Sequence, residues 1–192
     1  QDWNTIDEVT GACGSRLAAF IDLAPTESNS AFVGEIVRRA AGLGETYIRC
    51  GSSQLPEDYL RPVLRIARAH NLPVMLHTGD FSYTAPAMMA AMIQEFSDVT
   101  FILAHMGSLA FVQDAIEVAA AFPNTYLETS GMTSPAMLRR AVSEVGADRI
   151  LFGSDYPFWH PAVERARVEH AGLDQTATKL IMGENVARLL DL

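Results

Sequence analysis

Phe101-Ile-Leu-Ala-His105-Met-Gly107 is a run of four apolar residues that ends in an imidazole and then a glycine. A run so short and so uniformly apolar suits a strand covered on both faces, as a parallel sheet with crossover helices requires. The same construction stands earlier in Pro73-Val-Met-Leu-His77-Thr-Gly79. It returns in Ile150-Leu-Phe-Gly-Ser-Asp155-Tyr-Pro157, where a carboxylate takes the place of the imidazole. Each run carries its proton-moving or metal-competent group at its carboxyl end, the rim at which βα barrels place their active sites.

Outward from these stretches the chain is periodic. Strands are expected over 16–23, 46–50, 73–77, 99–105, 125–129 and 149–152, with centres at Ile21, Ile48, Met75, Leu103, Leu127 and Leu151, 24 to 28 residues apart. That spacing is about one βα unit with its loops. Helical pattern fills the gaps. Ser30 is placed to cap a helix whose Phe32, Val33, Ile36, Val37 and Ala40 share one face. Farther on, Leu60, Val63, Leu64 and Ala67 line one face of a helix and Arg61, Arg65 and Arg68 another. Ser134 before Pro135 makes a cap and first turn, and Asp174 opens the last helical region. Six such units form either an open doubly wound sheet or part of an eight-stranded barrel. A Rossmann-type sheet calls for a glycine-rich phosphate turn after its first strand; Ala24-Pro25-Thr26 stands there, and no G-x-G-x-x-G occurs. The expected fold is therefore an α/β, TIM-type (β/α) barrel, incomplete, with about six βα units of eight.

Composition narrows the setting. The chain has 192 residues, 49% of them hydrophobic and 19% charged, with no linker or low-complexity segment, so one domain over 1–192 is expected. A net charge of −9 with scattered Lys and Arg argues against a nucleic-acid partner. No apolar run reaches the roughly 18 residues of a membrane span, and no signal pattern opens the chain, so a cytoplasmic protein without a membrane partner is expected. Cys13 and Cys50 are read as free thiols. Met88, Met89 and Met92 are read as helix packing.

Two imidazoles and a carboxylate suit Zn²⁺ or another divalent ion that keeps an open position for water. His77, His105 and Asp155 are the candidate ligands. Asp155 is also placed to take a proton from that water, with His105 beside it as the second catalytic candidate. Gly79 and Gly107 let the loops turn sharply above the site. Three further residues are candidates for substrate binding. Arg49, beside Cys50, is placed either to hold a substrate carboxylate or to be a plain rim residue. Glu128, which ends its strand near Ser130, fits a buried hydrogen-bonding role better than catalysis. His160 lies in an aromatic loop, where it either reaches substrate or is a loop histidine. His70 is read as a helix-end residue and His170 as a surface one.

The segments HTG (77–79), AHMG (104–107) and ILFGSDYP (150–157), in this order and spacing, resemble the amidohydrolase-related superfamily. The likeness is to its mononuclear metal hydrolases and aminocarboxymuconate-semialdehyde-type decarboxylases. The closing stretch over 181–190 is similar to the helix that ends those barrels, so the resemblance covers roughly 16–192. It implies a (β/α)₈ barrel, usually with zinc. By it His77 is the fifth-strand metal ligand, His105 the sixth-strand histidine near metal or water, and Asp155 the eighth-strand ligand and proton acceptor. It implies hydrolysis of lactones, amides or other esters, or non-oxidative decarboxylation of unsaturated or aromatic acids. A metal-dependent hydrolase of a small, carboxylated substrate is the first expectation, and a decarboxylase the alternative.

The chain departs from the family in one respect. The first-strand H-x-H pair that supplies two metal ligands is not present, and counting back from the Asp155 strand makes the first visible strand the third. A chain lacking its first two βα units is expected, with metal binding that is weak or lost. Two sheet edges are then left to be covered, so a homo-oligomer is expected. A catalytically inactive barrel relative with a binding or structural role is the reading from a different class.

Overall fold

The computed structural model describes residues 3–14, 17–21, 30–46, 56–132 and 134–192. Six strands form one sheet in sequential order: β1 (Ala19–Ile21), β2 (Ala40–Thr46), β3 (Val74–His77), β4 (Phe101–Ala104), β5 (Thr125–Glu128) and β6 (Ile150–Leu151). Every pairing is parallel. Among the described residues β1 pairs only with β2 and β6 only with β5, so the sheet is open at both edges.

The helices are α1 (Trp3–Cys13), α2 (Ser30–Arg39), α3 (Pro56–His70), α4 (Ala90–Glu95), α5 (Ser108–Ala121), α6 (Pro135–Val145), α7 (Pro161–Glu169), α8 (Gln175–Lys179) and α9 (Asn185–Leu190). Leu60, Val63, Leu64 and Ala67 of α3 are fully buried, as their spacing requires. Two of the expected caps form: the Ser134 hydroxyl accepts from Met137 N–H, and Asp174 Oδ1 accepts from Ala177 N–H at 2.8 Å, while the Ser30 side chain at the start of α2 is not among those described.

The second strand differs from expectation. It begins at Ala40 and is described to Thr46, whereas the apolar run pointed to 46–50, of which 47–50 lie outside the described residues. Ala40 belongs to that strand and not to the preceding helix. The reason is steric: a side chain on Gly42 would meet the Phe20 ring, its Cβ 2.4 Å from the nearest ring carbon. Close approach of β1 and β2 thus needs a residue that propensity alone assigns to a turn. Strands β3 to β6 are trimmed at their ends, so that His105 follows β4 and Arg149 precedes β6, while positions 16, 22 and 23 of the expected first strand lie outside the described residues.

Helix α1 carries no expectation from the sequence and is held from outside. Trp3 and Ile6 pack against the core, and the Arg39 guanidinium lies 5.3 Å from the Trp3 ring while pairing with Asp7. Met89 and Met92 are core residues, whereas Met88, read with them as helix packing, is 47% exposed and lies outside the buried core. At the amino ends of the strands, Arg149 Nη1 donates to the carbonyls of Ala119, Phe122 and Thr125, and Nη2 to that of Val145. Asn185, fully buried, donates to the carbonyls of Ala147 and Ile150, both at 2.7 Å, and fastens the last helix beneath β6.

A candidate active-site cleft at the carboxyl ends of the strands

Register places the site. In the in-register pair β3–β4, His77 lies opposite Ala104, so His105 is the next residue up on the neighbouring strand. Their rings meet edge to face with centroids 4.9 Å apart, and both residues are buried. Leu103 lies opposite Leu127, which puts Glu128 level with Ala104 and within reach of the His105 amide. On β6 the chain leaves the sheet after Leu151 and returns a carboxylate, Asp155, to the same mouth.

These groups border one cleft of about 640 Å³. His77, Gly79, Asp80, His105, Asp155 and Trp159 line it, with Ser108, Leu109, Ala110, Gly131 and Phe158 completing the wall. His77 Nε2 is 3.0 Å from Asp80 Oδ2. The Thr78 hydroxyl donates to the Ala104 carbonyl at 2.5 Å and accepts from Gly107 N–H at 2.9 Å, locking the two histidine loops together. Gly79, at φ 128°, has no room for a side chain: a Cβ would fall 2.4 Å from Ser108 Oγ. The turn therefore needs glycine for both conformation and space.

The backbone at the two catalytic candidates is strained. His105 has φ 64° and Asp155 φ 50°, and Met106 and Ser108 share the left-handed region. Non-glycine residues seldom adopt it, and each such residue costs of order 1–3 kcal/mol. Strain of this kind persists only where surrounding structure enforces it. For His105 the enforcing group is Glu128. Its Oε2 accepts from His105 N–H at 3.0 Å and from the Ser130 hydroxyl at 2.7 Å, and its Oε1 accepts from Ser130 N–H at 2.7 Å. Ser130 Oγ is in turn 2.8 Å from His105 Nδ1. Burial pushes the Glu128 carboxyl above its ordinary value, while the three donors work against that rise.

One wall is braced from behind. The buried carboxylate of Glu164 accepts from Gly131 N–H at 3.2 Å and pairs with Arg167, whose guanidinium lies 5.4 Å from the Trp159 ring. Trp159 itself sits against Gly131. Glu164 carried no expectation, since nothing in its spacing separates it from an ordinary helix carboxylate.

The sequence candidates fall into three groups. His77, His105 and Asp155 border the cleft together. Glu128 does not line it; it lies beneath His105 as a hydrogen-bond acceptor. His160 is exposed and does not line it either: its Nδ1 accepts from Ala162 N–H at 3.2 Å, which makes it the N-cap of α7. Arg49 lies outside the described residues. For a divalent ion the donors present are right in kind, but among the described residues no three of His, Cys, Asp or Glu are grouped to hold one. The described side chains therefore do not by themselves make up a metal centre.

The amidohydrolase family model matches residues 2–192. No curated protein matches the chain. Among solved structures it is similar to an uncharacterized TIM-barrel protein from Bordetella bronchiseptica, at 23% identity and TM-score 0.83 over 98% of this chain and 72% of that one. It is similar also to a dihydroxybenzoic acid decarboxylase from Polaromonas sp. JS666 with bound manganese and the inhibitor 2-nitroresorcinol, at 18% identity and TM-score 0.75, covering 99% and 74%. An amidohydrolase from Burkholderia multivorans with bound zinc gives 15% identity and TM-score 0.76, covering 98% and 78%. At these identities the likeness establishes the fold alone: the open six-stranded sheet is a partial TIM barrel.

Proposed function

Because this chain belongs to the amidohydrolase family, we propose that its cleft hydrolyses a small, carboxylated substrate, with Asp155 as the group that accepts the proton of the attacking water. The observation that carries this reading is the convergence of His77, His105 and Asp155 on one cleft, with His105 and Asp155 both held in the left-handed backbone region. Positive φ at two polar groups of one pocket supports the reading, since backbone strain clusters at functional sites.

In the proposed reaction water adds to a carbonyl carbon of a lactone, amide or other ester while Asp155 takes its proton. The bond to the leaving oxygen or nitrogen then breaks, and Asp155 returns the proton to that atom. General acid and base work of this kind contributes about 10²–10⁴-fold. His105, fixed by Glu128 and Ser130, supplies a second polar contact to the reacting group. Zinc or another divalent ion is the cofactor proposed, in keeping with the ions bound in the Burkholderia and Polaromonas structures. Since the described donors do not complete a centre for it, the steps assigned to Asp155 and His105 are ones these side chains perform themselves. The edges at β1 and β6, which pair with no further strand among the described residues, support self-association.

Decarboxylation is the second reading, favoured by the Polaromonas relative and by the aromatic side of the cleft at Phe158 and Trp159. In it a protonated Asp155 delivers its proton to the carbon that loses CO₂. The test is Asp155→Asn, assayed on a panel of carboxylated lactones, amides and aromatic acids with separate detection of released acid and of CO₂. A loss of about 100-fold or more in turnover is expected. Turnover unchanged in that variant removes Asp155 from the reaction, and CO₂ release by the wild type decides for the second reading.

A further inference from the structure

We propose that Trp159 is the specificity-determining wall of the cleft: it takes the flat, apolar part of the substrate, and Arg167 and Glu164 are positioning residues that hold its ring for that contact. The ring is fixed on two sides. Its Nε1 edge lies over Gly131, where a Cβ would stand 3.4 Å from that nitrogen. The Arg167 guanidinium lies over the ring, 5.4 Å from its centroid. Arg167 is itself paired with one oxygen of Glu164, and the other oxygen accepts from Gly131 N–H at 3.2 Å. Gly131, Glu164, Arg167 and Trp159 thus close a circuit in which the ring and the backbone it rests on are held by one carboxylate. Trp159 and Gly131 line the cleft, whereas Glu164 and Arg167 border a separate small space behind that wall. The cation therefore supports the ring from outside the cleft and leaves the cleft its apolar surface.

Burial differs sharply between the support and the ring. Glu164 is 2% exposed, and a carboxylate so buried is tolerated only when it is paired and hydrogen-bonded. Trp159 is 41% exposed, so this buried pair anchors a ring that is not part of the core. Beside it Leu109 and Phe158, 66% and 80% exposed, line the same cleft. Large exposed apolar side chains gathered in a concavity mark a ligand groove. His77, His105 and Asp155 border that cleft as its polar groups. A substrate that fills it is then amphiphilic, with its reacting carbonyl at the polar groups and its flat apolar part at Trp159. A planar group suits the wall because aromatic pairs gain from stacked or edge-on contact beyond the area they bury. This assignment of the two ends rests on reading the cleft as an active site.

The test is binding without turnover. Benzoate is the probe and acetate, which lacks the ring, its control; each is titrated with the 192-residue chain and followed by proton NMR of the small molecule. Benzoate is expected to bind saturably, and acetate about tenfold more weakly. Trp159→Ala should weaken benzoate about tenfold and leave acetate unchanged. Glu164→Gln keeps an oxygen for Gly131 N–H but drops the charge that holds Arg167. Arg167→Lys keeps a cation beside the buried carboxylate, and so the fold, but loses the planar group over the ring. Each should weaken benzoate about two- to tenfold, and neither should weaken it further in the Trp159→Ala background, because both act through that ring. With Trp3→Phe in place Trp159 is the one tryptophan left, and its fluorescence anisotropy should fall in Glu164→Gln and in Arg167→Lys. Absence of benzoate binding overturns the proposal, as does binding that Trp159→Ala leaves intact. Effects of Glu164→Gln or Arg167→Lys that persist without Trp159 overturn the positioning role. Benzoate held through Trp159 together with unchanged turnover in Asp155→Asn would count against the hydrolase reading alone, so the two failures are told apart.

Discussion

The Glu128 carboxylate fills the space that a side chain on Gly153 would need: a Cβ at 153 would stand 1.7 Å from Glu128 Oε1. The glycine of the ILFGSDYP segment is thereby tied to the residue that holds His105. Neither can move cheaply, since three hydrogen bonds fix the carboxylate. Gly153→Ala should cost about 1–3 kcal/mol, the usual penalty for overpacking a filled interior. Denaturant unfolding measures it, and a variant as stable as the wild type would show that Glu128 has room to yield.

Glu128→Gln should also destabilise the fold, although it removes a buried charge. An amide offers one acceptor oxygen and one NH₂, so one of the N–H groups now received by the carboxylate would face another donor. A buried donor left unsatisfied costs about 1–3 kcal/mol. The same residue shapes the pH dependence. Burial raises its folded value above the ordinary 4.5, so between those values the folded protein binds the extra proton. Stability from this group therefore falls as pH rises from about 4.5 toward the raised value and is level above it. Unfolding curves from pH 4 upward should show that decline in the wild type and its loss in Glu128→Gln.

The βα period was legible because apolar runs covered on both faces leave a plain pattern, and the rim groups were legible because His77, His105 and Asp155 interrupt those runs at one end. What escaped was set by close approach in space. Ala40-Ala-Gly-Leu-Gly reads as a helix end and a turn, yet it is a strand because Gly42 lets the Phe20 ring lie against the backbone. Glu128 and Ser130 were recognisable as a strand end, but that both address His105 depends on the in-register pairing of β4 with β5. The His160 cap and the brace of Glu164 on Gly131 depend likewise on loop paths that no local signal encodes.

The backbone of Asp155 predicts how its variants behave in stability as distinct from activity. At φ 50° a β-branched residue is strained by about 1–2 kcal/mol, whereas asparagine visits this region readily. Asp155→Asn should therefore remain within about 0.5 kcal/mol of the wild type, and Asp155→Val should fall below it by the larger amount. Thermal unfolding of the two variants checks the order, and equal losses in both would mean that the conformation is not enforced.

Metal binding gives the last prediction. Catalytic zinc sites ordinarily have three protein ligands, and no three are grouped among the described residues. Zinc or manganese held by the 192-residue chain should thus be lost on dialysis against a chelator and regained only at excess metal. His77 ends β3 with its Nε2 beside Asp80 and its ring against His105, so it is the donor on which any retention should depend. His77→Ala should abolish the saturable part of a zinc titration followed by calorimetry. His160→Ala should leave it unchanged, because His160 is exposed and its Nδ1 caps α7. Tight stoichiometric zinc in the His77→Ala variant would move the ion away from this cleft, and equal losses in both variants would bring His160 into it.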